Sequence, residues 1–287
     1  MKAFEYFEPK TVAEATKHLS DYGETARILA GGVDLIPRMR KEEFKADCVV
    51  NIQRIPGLDR IDYNGSIGLQ FGAMATLHAL ETSRQVRKGY PAFYQAVRQI
   101  ASVQAKYMGT AVGNLCVGTP ASDVATALYA LGAVLSISGP EGDRTEAIDQ
   151  FCTDYRCTSL RRGEVVAGVS VPPMKAGEGC AFANLVRSRA DIAKLTVAVS
   201  ITAEKDVCRD VRIAIGSAAP TVFRASKAED ALMGRALKAQ TIDEAAEIAS
   251  GETRPITDLR STAEYRKEMT RVLVRRALEK ALAAAKG

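Results

Sequence analysis

The sequence predicts an α+β fold in three parts. These are a small α/β unit over residues 1–55, a larger α+β unit over 56–173, and a C-terminal domain of antiparallel sheet plus helices over 174–287. Three observations predict it. Strand and helix patterns alternate through the first fifty or so residues, as in βαβ units. Asn64-Gly65, a strong hairpin turn, sits between two apolar runs. After Pro172-Pro173, three strand-like runs follow one another before any further helix, as in an antiparallel sheet.

The elements follow in order. Residues 4–7 read as a short strand. Thr11 and Glu14 form a T-x-x-E capping box, Val12, Ala15 and Leu19 continue at helical spacing, and Gly23 ends the helix. A strand over 27–30, a Gly31-Gly32 turn, a helix over 35–40 and a strand over 48–52 complete the first unit. Ile55-Pro56-Gly57 marks its boundary. Strands over 58–63 and 66–71 flank Asn64-Gly65. One helix begins near Thr76, and another covers 91–101 with Phe93, Ala96, Val97 and Ile100 on one face. A glycine-rich loop then leads to a helix over 123–131, capped by Ser122 or Asp123. Strands over 133–138 and 165–171 follow, with Gly139-Pro140-Glu141-Gly142 as a turn after the first. Pro172-Pro173 and the stretch 175–179 read as a linker. Beyond it lie strands over 180–186, 196–204 and 211–216, and helices from Ser226 and Thr241. The last helix starts at a capping box of Ser261 and Glu264 and carries Tyr265, Met269, Leu273 and Ala277 at i, i+4 spacing.

Composition excludes several function classes. With 47% hydrophobic and 25% charged residues the chain is an ordinary globular protein. A net charge of +5, scattered rather than striped, does not indicate nucleic acid. No apolar run approaches the roughly 20 residues of a membrane span. The early acids of Met-Lys-Ala-Phe-Glu-Tyr-Phe-Glu and the lack of an apolar stretch there are unlike a signal peptide, so a cytoplasmic location is expected. Cys152 and Cys157 are spaced C-x4-C, but Leu160 stands where a plant-type ferredoxin pattern needs cysteine, and no C-x-x-C exists for zinc. The six cysteines read as reduced structural thiols, and the two histidines, His18 and His78, suggest no metal site.

Two stretches carry chemistry. One runs from Lys106 to Leu128 and contains Gly109, Gly113-Asn114, Gly118 and Thr119-Pro120 ahead of a helix start. Backbone this poor in side chains brings its N–H groups close to a ligand, and donors beside a helix N-terminus suit phosphate. An ordinary glycine-rich turn before an ordinary helix is the competing reading. The other stretch, Ile28 to Pro37, repeats the device as strand, Gly31-Gly32 turn and helix start. Two such turns can grip the two phosphates of a dinucleotide from opposite sides. The G-x-G-x-x-G fingerprint is absent, and Thr119-Pro120 stands where a P-loop needs Lys and then Ser or Thr. No G-x-S-x-G or H-E-x-x-H occurs. A redox role carried by a bound cofactor fits better than side-chain acid–base catalysis.

Ala30-Gly31-Gly32-Val33-Asp34-Leu35 resembles the first flavin motif of the FAD-binding subunits of the molybdenum hydroxylases, which include the xanthine dehydrogenase and carbon monoxide dehydrogenase types. Thr110-Ala-Val-Gly-Asn-Leu-Cys116, with Pro120-Ala-Ser-Asp123, resembles the second. The stretch 182–194 resembles the family's FAD-proximal segment, and 211–216 and 261–266 its C-terminal domain. The resemblance implies FAD as cofactor. It implies amides near Ala30, Gly31, Gly32 and Val33 on the pyrophosphate, with Asp34 capping the next helix or orienting the turn and Leu35 beginning that helix. Gly113 and Asn114 would admit the second segment to the cofactor, and Thr110, Ser122 and Asp123 would offer acceptors, the carboxylate suiting ribose. Leu29, Ile100, Ala101, Cys116 and Val166 would line the flavin pocket, core packing being the competing role for Ile100, Ala101 and Val166. Arg187, Arg189, Asp191 and Lys194 are charged candidates near the flavin, a solvated strand edge being the competing reading.

The chain departs from the family where Val33 replaces a common Thr, where Val112-Gly113 replaces Gly-Gly, and where Ala183 stands near a position that is lysine in some relatives. The implied function is electron transfer from the iron–sulfur clusters of a [2Fe–2S] small subunit through FAD to an acceptor such as NAD or a quinone. A molybdopterin-containing large subunit would oxidise the substrate. The alternative is a non-catalytic binding or assembly protein that keeps the flavoprotein fold.

Overall fold

The computed structural model of the chain describes residues 2–188 and 191–286. Its first sheet is parallel: β1 (Glu5–Phe7) and β2 (Ala26–Leu29) both pair with β3 (Cys48–Asn51), which lies between them. Parallel neighbours need crossovers, and α1 (Val12–Tyr22) and α2 (Leu35–Arg40) supply them. Thr11 Oγ1 accepts the Glu14 N–H at 3.2 Å, while Glu14 Oε2 accepts from Lys10 N at 2.7 Å, so the capping box closes one residue early. β3 is buried along its length. Along β2 and just beyond it the faces alternate. Ile28 and Ala30 pack on the main core, and Leu29 packs on a small cluster of Met39, Ala46 and Val49. His18 is half-buried and stacks on Phe7 with ring centroids 4.0 Å apart.

A second, antiparallel sheet begins with the hairpin of β4 (Ile61–Asn64) and β5 (Gly68–Gly72). Its turn is longer than the expected Asn-Gly pair. Asn64 Oδ1 accepts from Ser66 N at 2.8 Å, and Gly68 closes the turn at φ 96°. Residues 58–60, expected as strand, lie outside it, and Leu58 O takes the Met74 N–H at 2.7 Å. Six helices follow: α3 (Leu77–Thr82), α4 (Arg84–Gly89), α5 (Pro91–Gln99), α6 (Val103–Met108), α7 (Ala111–Cys116) and α8 (Asp123–Ala130). The chain returns to the sheet through β6 (Val134–Gly139) and β7 (Gly142–Ala147). It then makes α9 (Ile148–Phe151), a small hairpin of β8 (Cys152–Asp154) and β9 (Cys157–Thr158), and β10 (Val165–Val171). Strand order is β4-β5-β10-β6-β7.

Two expectations need correction here. The helix expected over 91–101 stops at Gln99, because Ile100 is extended and Ala101 turns to φ 49°. The glycine-rich stretch, expected as a loop up to residue 122, contains the helices α6 and α7. Neither is long enough to be stable alone; each is capped by a hydroxyl and held by packing. Ser102 Oγ accepts from Ala105 N at 3.3 Å and Thr110 Oγ1 from Gly113 N at 2.9 Å. At α8 the cap is Ser122, whose Oγ accepts from Ala125 N at 3.0 Å.

The third sheet, β11 (Glu178–Leu185), β12 (Leu195–Glu204), β13 (Val207–Gly216) and β14 (Phe223–Arg224), is antiparallel in sequence order. It is covered on both faces, which explains the near-continuous apolar run of β12. Phe182, Ala198 and Ala214 join the main core, where α5 and α8 pack. Ala181, Val197, Val199, Ile213 and Ile215 face α10 (Ser226–Leu232), α11 (Ala239–Glu252) and α12 (Ala263–Lys286). Thr262 rather than Ser261 caps α12, its Oγ1 accepting from Tyr265 N at 3.2 Å. No described helix is long and apolar enough to cross a membrane.

The sheet and α12 meet backbone to backbone at Gly179, where a Cβ would lie 2.1 Å from Ala281 O and 2.4 Å from Ala285 N. Gly179→Val is therefore expected to destabilise the chain by about 3 kcal/mol or more, at the upper end of overpacking costs. Urea unfolding measures it; an unchanged midpoint would contradict this packing.

Candidate functional site

The Gly31-Gly32 turn joins β2 to α2 at the C-terminal edge of the parallel sheet. Gly32 takes φ 70°, a conformation that L side chains rarely adopt. Gly31 lies against the end of α6: a Cβ there would sit 2.0 Å from Met108 O and 2.8 Å from Gly109 Cα. Gly109 is fixed in turn by its carbonyl, which accepts Leu77 N at 2.9 Å, and by the adjacent bridge between Thr76 and Thr110. The two glycine segments, far apart in sequence, are thus in direct contact. On the other flank Gln53 Nε2 donates to Ala30 O at 2.6 Å, holding the turn to the chain that leaves β3.

This arrangement leaves donors unused. Among the described residues, the amides of Gly31, Gly32 and Val33 donate no hydrogen bond within the protein. Asp34 makes no capping bond. Its Oδ2 accepts from Arg38 Nη1 at 3.2 Å, which turns the carboxylate toward the helix side chains. In the second segment the Gly113 amide is taken by Thr110, so Gly113 is a helical residue rather than an open amide. Asn114 Oδ1 accepts from Ser122 Oγ at 2.6 Å, which couples α7 to the start of α8 and leaves Asn114 Nδ2 free to donate.

Asp123 stands beside that link. Its Oδ1 is fully shielded and has no hydrogen-bond partner, although the residue as a whole keeps partial exposure. Burial pushes its carboxyl up to about 7. Native proteins seldom leave such an atom unsatisfied, so it is the sharpest local sign that a donor-bearing group belongs here. Cys116, at the end of α7, is pushed up to about 12 by burial, with Cys152 nearby adding to the effect, so it sits in this wall as a neutral thiol.

The other expected residues are more dispersed. Leu29 lies under the turn, its Cδ1 3.1 Å from where a Gly32 Cβ would be, and Leu35 packs on the same small cluster. Ile100 and the exposed Ala101 form the break between α5 and α6. Val166 is 2% exposed, within the core face of β10 on which α7 packs. Arg187 and Asp191 pair with each other at 2.8 Å, and Lys194 Nζ lies 6.0 Å from the Tyr265 ring centroid. Arg189 falls outside the described residues. Sequence reasoning missed Met108 and Gln53, whose backbone and amide contacts leave no sequence signal. It also missed Lys106, a buried ammonium that bonds Glu81 Oε2 at 2.6 Å and Arg98 O at 3.1 Å and so seats α6.

Known proteins resemble this chain along its length. The family described as the FAD binding domain in molybdopterin dehydrogenase matches residues 2–174, and the CO dehydrogenase flavoprotein C-terminal domain matches residues 180–281. The carbon monoxide dehydrogenase medium chain of Afipia carboxidovorans is 35% identical over 99% of this chain and 98% of its own length. A solved carbon monoxide dehydrogenase from Hydrogenophaga pseudoflava, in a form lacking the Mo-pyranopterin moiety, superposes with TM-score 0.95 at 35% identity over 99% of this chain and 98% of that one. Quinoline 2-oxidoreductase from Pseudomonas putida 86 superposes with TM-score 0.92 at 27% identity over the whole of both chains.

The seat of α6 makes an asymmetric prediction. Glu81→Gln removes the counter-charge and leaves a buried ammonium with only neutral carbonyl acceptors, and is expected to cost about 3 kcal/mol. Lys106→Met removes the buried charge, keeps most of the volume and leaves Glu81, 22% exposed, to water; about 1 kcal/mol or less is expected. Thermal melts of both variants check the order, and equal losses would contradict it.

Proposed function

The chain belongs to the FAD-binding subunits of the molybdenum hydroxylases, and we propose that it is the electron-transfer subunit of such an assembly. The partners in this proposal are a molybdopterin-containing large subunit, a [2Fe–2S] small subunit, and an electron acceptor, NAD or another. The chain is an oxidoreductase subunit with FAD as its cofactor. The observation that carries the proposal is the direct contact of the two glycine segments, with unused amides on the first and, next to Ser122 in the second, an unsatisfied carboxyl oxygen on Asp123. Unused backbone donors in the first segment and an acceptor in the second suit a ligand with a pyrophosphate and ribose hydroxyls.

In this reading the amides of Gly31, Gly32 and Val33 hold the pyrophosphate, which Asp34 leaves clear by pairing with Arg38. Asn114 Nδ2 donates from the second segment, oriented by Ser122, and Thr110 and Gly113 fix the turn of helix that presents it. Asp123 accepts from ribose. Leu29, Ala30, Leu35, Ile100, Ala101, Cys116 and Val166 form or back the apolar wall. Bound FAD supplies the redox chemistry; the residues of this chain bind and orient it. The units 1–55, 56–173 and 174–287 belong to the same proposal, with the cofactor between the first two and the [2Fe–2S] subunit docked beside α6 and α7. A cytoplasmic location is supported by six cysteines, all free.

Isolation from the native source tests the assignment. The expected preparation contains this chain with two further subunits, a flavin spectrum, iron and molybdenum. A chain isolated there with FAD, without either metal and with full substrate turnover, would refute it. A chain without flavin would favour the assembly-protein alternative. Within the subunit, Gly31→Val is expected to cut flavin per folded monomer at least tenfold, because its side chain must displace Met108. Unchanged flavin content would remove the turn from the site.

A further inference from the structure

Among the described residues of the candidate site, Asp123 is the carboxyl left without a hydrogen-bond partner. Asp34 has Arg38, at 3.2 Å, whereas Oδ1 of Asp123 is shielded and unpartnered. The hydroxyl of the preceding residue, Ser122 Oγ, caps α8 and donates to Asn114 Oδ1 at 2.6 Å. Elements packed against α8 bring other titratable groups: Tyr94 and Arg98 on α5, Cys116 on α7, Asp149 on α9, Glu204 on β12, Cys208, Arg209, Asp210 and Arg212 on β13, and Arg224 on β14. None contributes to the state of Asp123, which burial alone shifts. The carboxyl is therefore an isolated titrating group whose missing partners are hydrogen-bond donors.

We propose that FAD binding is coupled to release of one proton from Asp123, the hydroxyl donors of the cofactor completing its oxygens and holding it as the carboxylate. The inference rests on the reading that Asp123 lines the cofactor site. The proton passes to solvent, and no bond within the cofactor changes. The sign follows from linkage. The free chain holds the carboxyl at about 7, and the bound state lowers it. Affinity is then complete above that pH and is lost as pH falls through it. A single linked proton gives about a tenfold loss per pH unit on the acid side. The pyrophosphate and the flavin ring keep their charge across this range, so the slope reports the protein.

The experiment titrates FAD into the full chain stripped of flavin, following quenching of flavin fluorescence from about pH 5.5 to 8.5. Calorimetry at neutral pH in phosphate and in Tris counts protons directly. Wild type is expected to bind about tenfold more weakly at pH 6 than at pH 8, with binding heats that differ between the buffers. Asp123→Asn should bind more weakly at pH 8 and lose both the slope and the buffer dependence. Asp123→Ser gives the same comparison if the Asn variant does not fold. A flat wild-type profile, or equal slopes in wild type and variant, would overturn the linkage while leaving Asp123 in the site. Variants that match wild-type affinity at every pH would overturn the site assignment as well.

Discussion

The contact between Gly31 and the carbonyl of Met108 is the constraint on which the rest of this structure depends. Only a residue without a Cβ lets the turn after β2 lie against the end of α6. That contact sets the parallel sheet, built before residue 52, against a helical stretch that begins beyond residue 100. It also sets the unused amides of Gly31, Gly32 and Val33 beside the entrance to α7. Shape complementarity between two backbones is demanding, because carbonyl and amide groups cannot flex as side chains do. A methyl group at position 31 would shift the turn as a whole rather than one contact.

Around that contact the chain uses short helices with local caps instead of long helices with long apolar faces. Thr76, Ser83, Ser102, Thr110 and Ser122 each accept the N–H three residues on, at 2.9 to 3.4 Å. Each cap stabilises its helix by about 1 kcal/mol, a large share for helices that would not persist alone. Short helices change direction often, which is how one stretch of chain passes Gly31, turns at Thr110 and starts α8 at Ser122 beside Asn114. Lys106 adds a buried ionic anchor to α6. The cost is a polar interior near the site, and Asp123 shows it as an oxygen left without a donor.

Much of the fold was legible in the sequence, because its signals are local. Strand β10 and helix α2 have the predicted bounds, since Pro172-Pro173 ends one and the Gly31-Gly32 turn starts the other. The α+β class follows from apolar patterning. Helices α6 and α7 were not legible: Gly109 and Gly113 lower helix propensity, and Ser102 and Thr110 lack a Glu or Gln three residues on to complete a capping box. The hairpin of β8 and β9 was missed because its strands are two or three residues long. The site residues were named from two motifs, yet neither motif shows that Gly31 meets the Met108 carbonyl, that Thr110 occupies the Gly113 amide, or that Asp123 lacks a partner. Those are tertiary facts, set by which backbones approach each other.

The central claim, that the two glycine segments form one cofactor site at their contact, is tested most directly by NMR of the deuterated, 15N-labelled, flavin-free chain on addition of FAD. The account predicts that the amides of Gly31, Gly32 and Val33 and the side-chain amide of Asn114 shift together and saturate at one equivalent, while the amides of α11 and the C-terminal half of α12 stay in place. Saturable shifts confined to another surface, with the Gly31-Gly32 turn unmoved, would contradict it.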